Sequence, residues 1–322
     1  RTIVGAGGDI TGLYFFGQNL CPNDATSITA KGSIELSSIT TPPLDNTGYF
    51  LSGPGHFLVE AGDSLDLGTT QGIQVVGSAF YSALSEEDSS LAVLVGTSKV
   101  MPVDELNAFF DDIRAYGVDY SELLAEGDTE GAAGIVQKAD ETLIDELFEE
   151  EDIGNINMTS ANISTSAVAS DIFIVAAGDV NVGLTTLVDP SSDTEVDAKT
   201  QETGIFTSKG GDISVFSNGD LNVNESRVMT FRSGDITAWS SQGDINAGRG
   251  SKTAINTGNP KVIAVKDDEG NVISKKIEWE PPAVGSGIRT LTYDPDGTLG
   301  PLTAPPAGDA YLFAPQGVID AG

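Results

Sequence analysis

Positive charge, cysteine and histidine are all scarce in this chain of 322 residues. There are 16 Lys and Arg against 48 Asp and Glu, a net charge of -32. A field of that sign repels nucleic acid and anionic lipid headgroups, so no nucleic-acid partner is expected. It attracts cations. The one cysteine, Cys21, excludes an intramolecular disulfide and reads as a small buried apolar residue or an unreactive thiol. The one histidine, His56, leaves too few ligands for a Cys/His zinc site. With no second histidine and no adjacent Ser/Asp motif, His56 reads as a surface or turn residue rather than part of a triad. No apolar run reaches the roughly 18 residues a membrane helix needs, so no membrane insertion is expected. The opening residues carry neither an initiator Met nor an apolar signal core, and the chain reads as a piece of something longer.

Glycine, in contrast, is abundant, with 38 residues. It recurs before aspartate at Gly8-Asp9, Gly62-Asp63, Gly178-Asp179, Gly211-Asp212, Gly219-Asp220, Gly234-Asp235, Gly243-Asp244 and Gly308-Asp309. Such dipeptides mark turns. Asp212 to Asp235 is 23 residues and Asp220 to Asp244 is 24. Two interleaved series with nearly one period predict a coil with two such turns per rung. Between turns the apolar residues alternate, as at Ile213 and Val215, Leu221 and Val223, and Val180 and Val182. Period two describes a strand with one face inward. Short strands, equal turns and a rung of two dozen residues predict an all-β parallel β-helix, or solenoid. An antiparallel sandwich of many short strands is the alternative. Gly211, Asp212, Gly219, Asp220, Gly234, Asp235, Gly243 and Asp244 are expected to be structural turn residues.

Two stretches interrupt the repeat. Residues 102–152 hold 17 acids against Arg114 and Lys138. Pro102 stands at a helix start, and Leu106, Phe109, Phe110 and Ile113 follow at helical spacing. A second helix is expected over about 137–149, on Leu143, Ile144, Leu147 and Phe148. The expected insert is an acidic helical flap packed on the solenoid through Phe109, Phe110 and Phe148. Residues 254–290 read as a β-hairpin around Asp268-Glu269-Gly270-Asn271, carrying Lys261, Lys266, Lys275 and Lys276. The expected organisation is therefore rungs over 1–101, a helical insertion over 102–152, rungs over 153–253, a hairpin insertion over 254–290, and rungs again over 291–322.

Nucleotide motifs are mimicked but not met. The opening glycines would need a third at Ile10, and Ser251 separates Gly250 from Lys252 where a phosphate loop joins Gly to Lys. An enzyme on a β-helix would need clustered carboxylates, with Asp179, Asp212, Asp220, Asp235 and Asp244 as candidates and Arg232 and Arg249 as bases. Each of those acids follows Gly in the repeat register, which makes it a turn residue, and the arginines are expected to pair with them. No catalytic residue and no cofactor is expected. Ca²⁺ is the ion the acids suggest, with Glu149, Glu150, Glu151 and Asp152 as candidate ligands, beside Asp111-Asp112 and the "DPDG" of 294–297. Trp239 and Trp279 are candidate sugar contacts, Trp239 equally a packing residue. Asn157, Asn162 and Asn224 read as turn or ladder asparagines.

At "SSQGDINAGRGSKTA" (240–254), "GSGIRTL" (285–291), "GDAYLFAPQGVIDAG" (308–322) and "GPGHFLVEAGDSLDLGTTQGI" (53–73) the chain resembles filamentous haemagglutinin-like exoproteins. The resemblance implies a right-handed β-helix shaft, secreted to a Gram-negative cell surface through an outer-membrane partner (two-partner secretion). It implies roles in adhesion, aggregation, biofilm and display of a toxic tip. The reading is a non-enzymatic cell-surface shaft or filament. A polysaccharide-cleaving β-helix or a cation-dependent binding module are the alternatives. The expected partners are other copies, stacked end to end, and a host-cell or surface receptor.

Overall fold

The computed structural model describes residues 1–36, 47–85, 88–145, 147–148, 154–183, 203–224, 226–248, 260–266, 272–279, 286–292 and 303–320. They form a parallel β-helix of three sheets. Sheet A stacks Ile3–Ala6, Ala25–Ala30, Gly55–Ala61, Ser89–Val95, Asp171–Ala176, Ile213–Ser217, Ile236–Ser240 and Ala310–Phe313. Sheet B stacks the short strands Ile10–Thr11, Ile34–Glu35, Leu65–Asp66, Ile156–Met158, Val180–Val182, Leu221–Asn222, Ile245–Asn246 and Ile319–Asp320. Sheet C stacks Phe15–Gln18, Tyr49–Ser52, Ile73–Val75, Asn162–Val168, Gly204–Lys209, Arg227–Phe231 and Gly287–Leu291. Each of the first seven rungs visits A, then B, then C, and the eighth contributes strands to A and B. All ladders between rungs are parallel, which excludes the antiparallel sandwich.

The interior is three apolar columns, aliphatic but for Phe15 and Tyr49. In sheet A the inward column is Val4, Ile28, Val59, Val93, Ile174, Val215, Ala238 and Leu312. In sheet B it is Ile10, Ile34, Leu65, Ile156, Val180, Leu221, Ile245 and Ile319. In sheet C it is Phe15, Tyr49, Ile73, Ile163, Ile205, Val228 and Ile288. They merge into one core whose middle members are fully buried. One rung could not bury its inward face alone. Stacking buries it and satisfies the backbone at once, which is why the period appears in the sequence.

Two segments leave the coil. Between the A and B strands of the fourth rung come helix α1 (Val103–Glu126), helix α2 (Thr129–Ala139) and a π-helical turn, Asp140–Ile144. Asp128 caps α2, its Oδ1 accepting from Gly131 N at 2.8 Å. α2 thus lies N-terminal to the stretch expected from spacing. The apolar signal at Ile144 and Leu147 belongs instead to the π-turn and the segment after it, where both side chains are buried against the solenoid. The second segment is the antiparallel pair Pro260–Lys266 and Val272–Trp279, a hairpin between the B and C strands of the seventh rung.

Candidate functional site

The Gly-Asp steps sit at two of the three corners, and their acids form two ladders up the molecule. On the A-to-B corner Asp179 N donates to Asn155 Oδ1 at 2.7 Å, Asp220 N to Asp179 Oδ1 at 2.8 Å and Asp244 N to Asp220 Oδ1 at 2.8 Å. Val318 N continues the series, donating to Asp244 Oδ1 at 2.7 Å. On the C-to-A corner Asp212 N donates to Asp171 Oδ1, Asp235 N to Asp212 Oδ1 and Asp309 N to Asp235 Oδ1, each at 2.8 Å. A corner amide points away from the sheets and lacks a ladder partner. The carboxylate one rung below supplies one, a charge-assisted bond. The glycine is set by the same contact. A Cβ at Gly219 would strike Asp179 Oδ1, and Gly234, at φ 106°, lies over the Gly211 carbonyl in a conformation that favours glycine.

The five acids weighed as catalytic candidates, Asp179, Asp212, Asp220, Asp235 and Asp244, therefore each have one oxygen bound to a backbone amide of the next rung. They follow the corners rather than converge. Among the described residues, no three His, Cys, Asp or Glu side chains come together as a metal site. Glu149, Glu150, Glu151, Asp152, Arg249 and the 294–297 loop lie outside the described residues. Asp111 and Asp112 are exposed on α1.

Sheet A also carries an outward column, Gly5, Thr29, Glu60, Leu94, Val175, Phe216, Trp239 and Phe313. From the fourth rung upward it is apolar, and the helices cover it. Phe109 meets Phe216 edge-on with centroids 5.6 Å apart, Phe110 stacks on Phe173 at 6.0 Å and Phe148 on Phe216 at 5.8 Å. Trp239 is fully buried there, 5.9 Å from Phe313. It packs the seam and offers no platform for a sugar. The side chain of Trp279 is not among those described.

Arg114 pins the helices to the acid ladder. Its Nε donates to Thr237 Oγ1 at 2.9 Å, its guanidinium lies 3.3 Å from Asp235 Oδ2, and it sits 5.0 Å over the Tyr311 ring. Asp235 thus has an ion-pair partner 121 positions away in the chain. No local signal in the sequence marks that pair.

His56 is the other residue that the fold recasts. It lies in a strand of sheet A, not a turn, and its Nδ1 is 2.9 Å from Ser90 Oγ. Ser90 in turn pairs in register with Asp171. The order is His, Ser, Asp, one per rung, and the Asp171 carboxylate is bound to Asp212 N rather than to the imidazole. Asp171 therefore does not hold the imidazole as the acid of a triad does. Burial holds the imidazole below its ordinary pKa and pushes the Asp171 carboxyl up to about 6. Cys21 is exposed rather than buried, because it lies in the turn between the first two rungs, where its N–H donates to Asp24 Oδ2. Asn157 and Asn181 extend a side-chain ladder outside sheet B, Asn181 Nδ2 donating to Asn157 Oδ1 at 3.0 Å. Asn222 adds the next step, donating to Asn181 Oδ1 at 3.1 Å.

A coil with columns inside and ladders at its corners defines a parallel β-solenoid, a class of protein built from stacked rungs that each contact only their neighbours. Residues 233–322 match the family described as filamentous haemagglutinin family outer membrane protein. The matched stretch includes the seventh and eighth rungs and the phrases at 240–254 and 308–322 that carry the resemblance. No curated protein and no solved structure matches the chain.

Proposed function

We propose that the chain is a non-enzymatic segment of the shaft of a cell-surface filament used in adhesion, aggregation or biofilm. The observation that carries this reading is that the two repeated residue types both serve the stacking of rungs. The aliphatics stack as columns, and the Gly-Asp acids cap the next rung. Residues that would otherwise suggest chemistry serve extension of the coil. Export by an outer-membrane partner is the part of this proposal that comes from the family resemblance. End-to-end association belongs to it as well, since the outer edges of Ile3–Ala6 and Ala310–Phe313 are unpaired among the described residues, and such edges template further strands.

The test is immunological. Antibodies raised against the folded chain should decorate fibres on intact cells that make the protein, and monovalent fragments of them should reduce aggregation or attachment. Labelling confined to permeabilised cells would sink the surface reading. Release of new reducing ends or unsaturated ends from acidic or neutral polysaccharides by the purified chain would replace it with the enzymatic one.

A further inference from the structure

α1 climbs the outside of sheet A and does not stop at the last described rung. Phe110 meets Phe173 of the fifth rung, Phe109 meets Phe216 of the sixth, Arg114 reaches Asp235 and Thr237 at the seventh, and Gly117 lies against the Phe313 ring of the eighth. Nine more helical residues, Val118 to Glu126, follow. At about 1.5 Å per residue they add roughly 13 Å, the height of between two and three rungs at about 4.8 Å each. The face that buries Leu106, Phe109, Phe110, Ile113 and Gly117 continues at helical spacing as Tyr120 and Leu124. Leu124 is 43% exposed. α2 faces it with Ala132 and Val136, and the two helices with Pro315 and Gln316 enclose an open cleft of about 410 Å³. Beside the cleft, the end of the coil leaves Val318 64% and Ile319 42% exposed.

We propose that α1 and α2 form a splint that receives a further β-rung above the eighth. Its A strand stacks parallel on Ala310–Phe313, with an aliphatic residue over Leu312 and a large apolar residue over Phe313. The proposal rests on the shaft reading and specifies which end of the coil accepts what. Continuity carries it: the same seam already holds Leu94, Val175, Phe216, Trp239 and Phe313 on five successive rungs, and the helices run on past the fifth of them. Among the described residues the acceptor is a strand edge with no further partner, walled on one side, the geometry of β-strand addition. A second copy entering by its first rung fits less well. With Val4 continuing the column of Leu312, that copy sets Gly5 over Phe313 and leaves Leu124 bare.

The experiment supplies the rung covalently. The full chain is extended after Gly322 by a repeat of its own residues 225–246, which places a copy of Trp239 over Phe313 in the observed register. Thermal unfolding is followed for both chains, with and without Leu124→Ser. The extension should raise the unfolding temperature. Leu124→Ser should lower the extended chain by about 2–4 °C more than the unextended one. In a Cys21→Ser background, Leu124→Cys should react freely with a maleimide in the unextended chain and lose that reactivity in the extended one. Equal effects of Leu124→Ser in both chains, or unchanged labelling, overturn the splint. If the extension stabilises while Leu124 stays silent, the splint falls and the shaft stands. If the extension fails to stabilise at all, both fall. Self-association of the unextended chain that protects Leu124→Cys would overturn the chosen occupant in favour of a second copy.

Discussion

The outer face of sheet A is built in two ways. Over the second and third rungs its column is Thr29 and Glu60, and from the fourth it is Leu94, Val175, Phe216, Trp239 and Phe313. The backbone is the same throughout, parallel and in register. What changes is the cover: the third rung is partly covered, with Leu58 against the helical cluster and Glu60 half-buried, and the rungs above it are sealed by helix. In the lower rungs the strands alternate, as in the pattern of Gly55–Ala61, where every second residue is buried. In the upper rungs Ser89–Val95, Ile213–Ser217 and Ile236–Ser240 are buried along their whole length. A strand covered on both faces loses its polar-out positions. The insertion therefore turns part of a two-faced coil into a three-layer body, and the acidic load of α1 faces outward.

The sharpest way to break that contrast is Trp239→Ala. It opens a cavity between coil and helix and should cost about 3–5 kcal/mol, read as a fall in the urea midpoint. A loss no larger than that of a surface substitution would mean the seam does not hold the helices.

Next in size is a dependence on pH. The Asp171 carboxyl, raised to about 6 by burial, takes up its proton more readily folded than unfolded, where its value is 3.8. Its stabilising contribution is full below pH 3.8 and is lost as pH rises through about 6. Asp171→Asn keeps an oxygen for Asp212 N and should be more stable than the native chain above pH 6, the difference vanishing near pH 4. The opposite slope would show that the hydrogen bond from Asp212, not burial, dominates.

The corner ladder belongs to both regions and should respond modestly. Asp220→Ala removes the acceptor of Asp244 N and should cost about 1 kcal/mol by chemical denaturation. Smallest is Lys99→Ala. The Lys99–Glu105 pair is 3.6 Å apart with both side chains about half exposed, and its removal should change stability by less than about 0.5 kcal/mol. A larger fall would mean that the base of α1 is held by charge rather than by Leu106 and Phe109.

The Gly-Asp period, the alternation around it and the helical spacing of Leu106, Phe109, Phe110 and Ile113 were legible because each is a local pattern repeated at fixed distance. They determine a parallel coil with a helical excursion, and they mark Asp212, Asp220, Asp235 and Asp244 as corner residues. The start of α2 was not legible, since the cap at Asp128 is a weaker signal than the apolar residues that follow. Nor were the contacts between levels. That Arg114 answers Asp235, that Trp239 is buried in the seam with Phe109 and Phe110, and that the Tyr120 hydroxyl donates to Pro315 O of the eighth rung all depend on where the insertion leaves the coil and which way it climbs. Periodicity fixes the neighbours within a rung and one period away. Contacts over a hundred residues apart are fixed by packing alone, and here that packing belongs to α1.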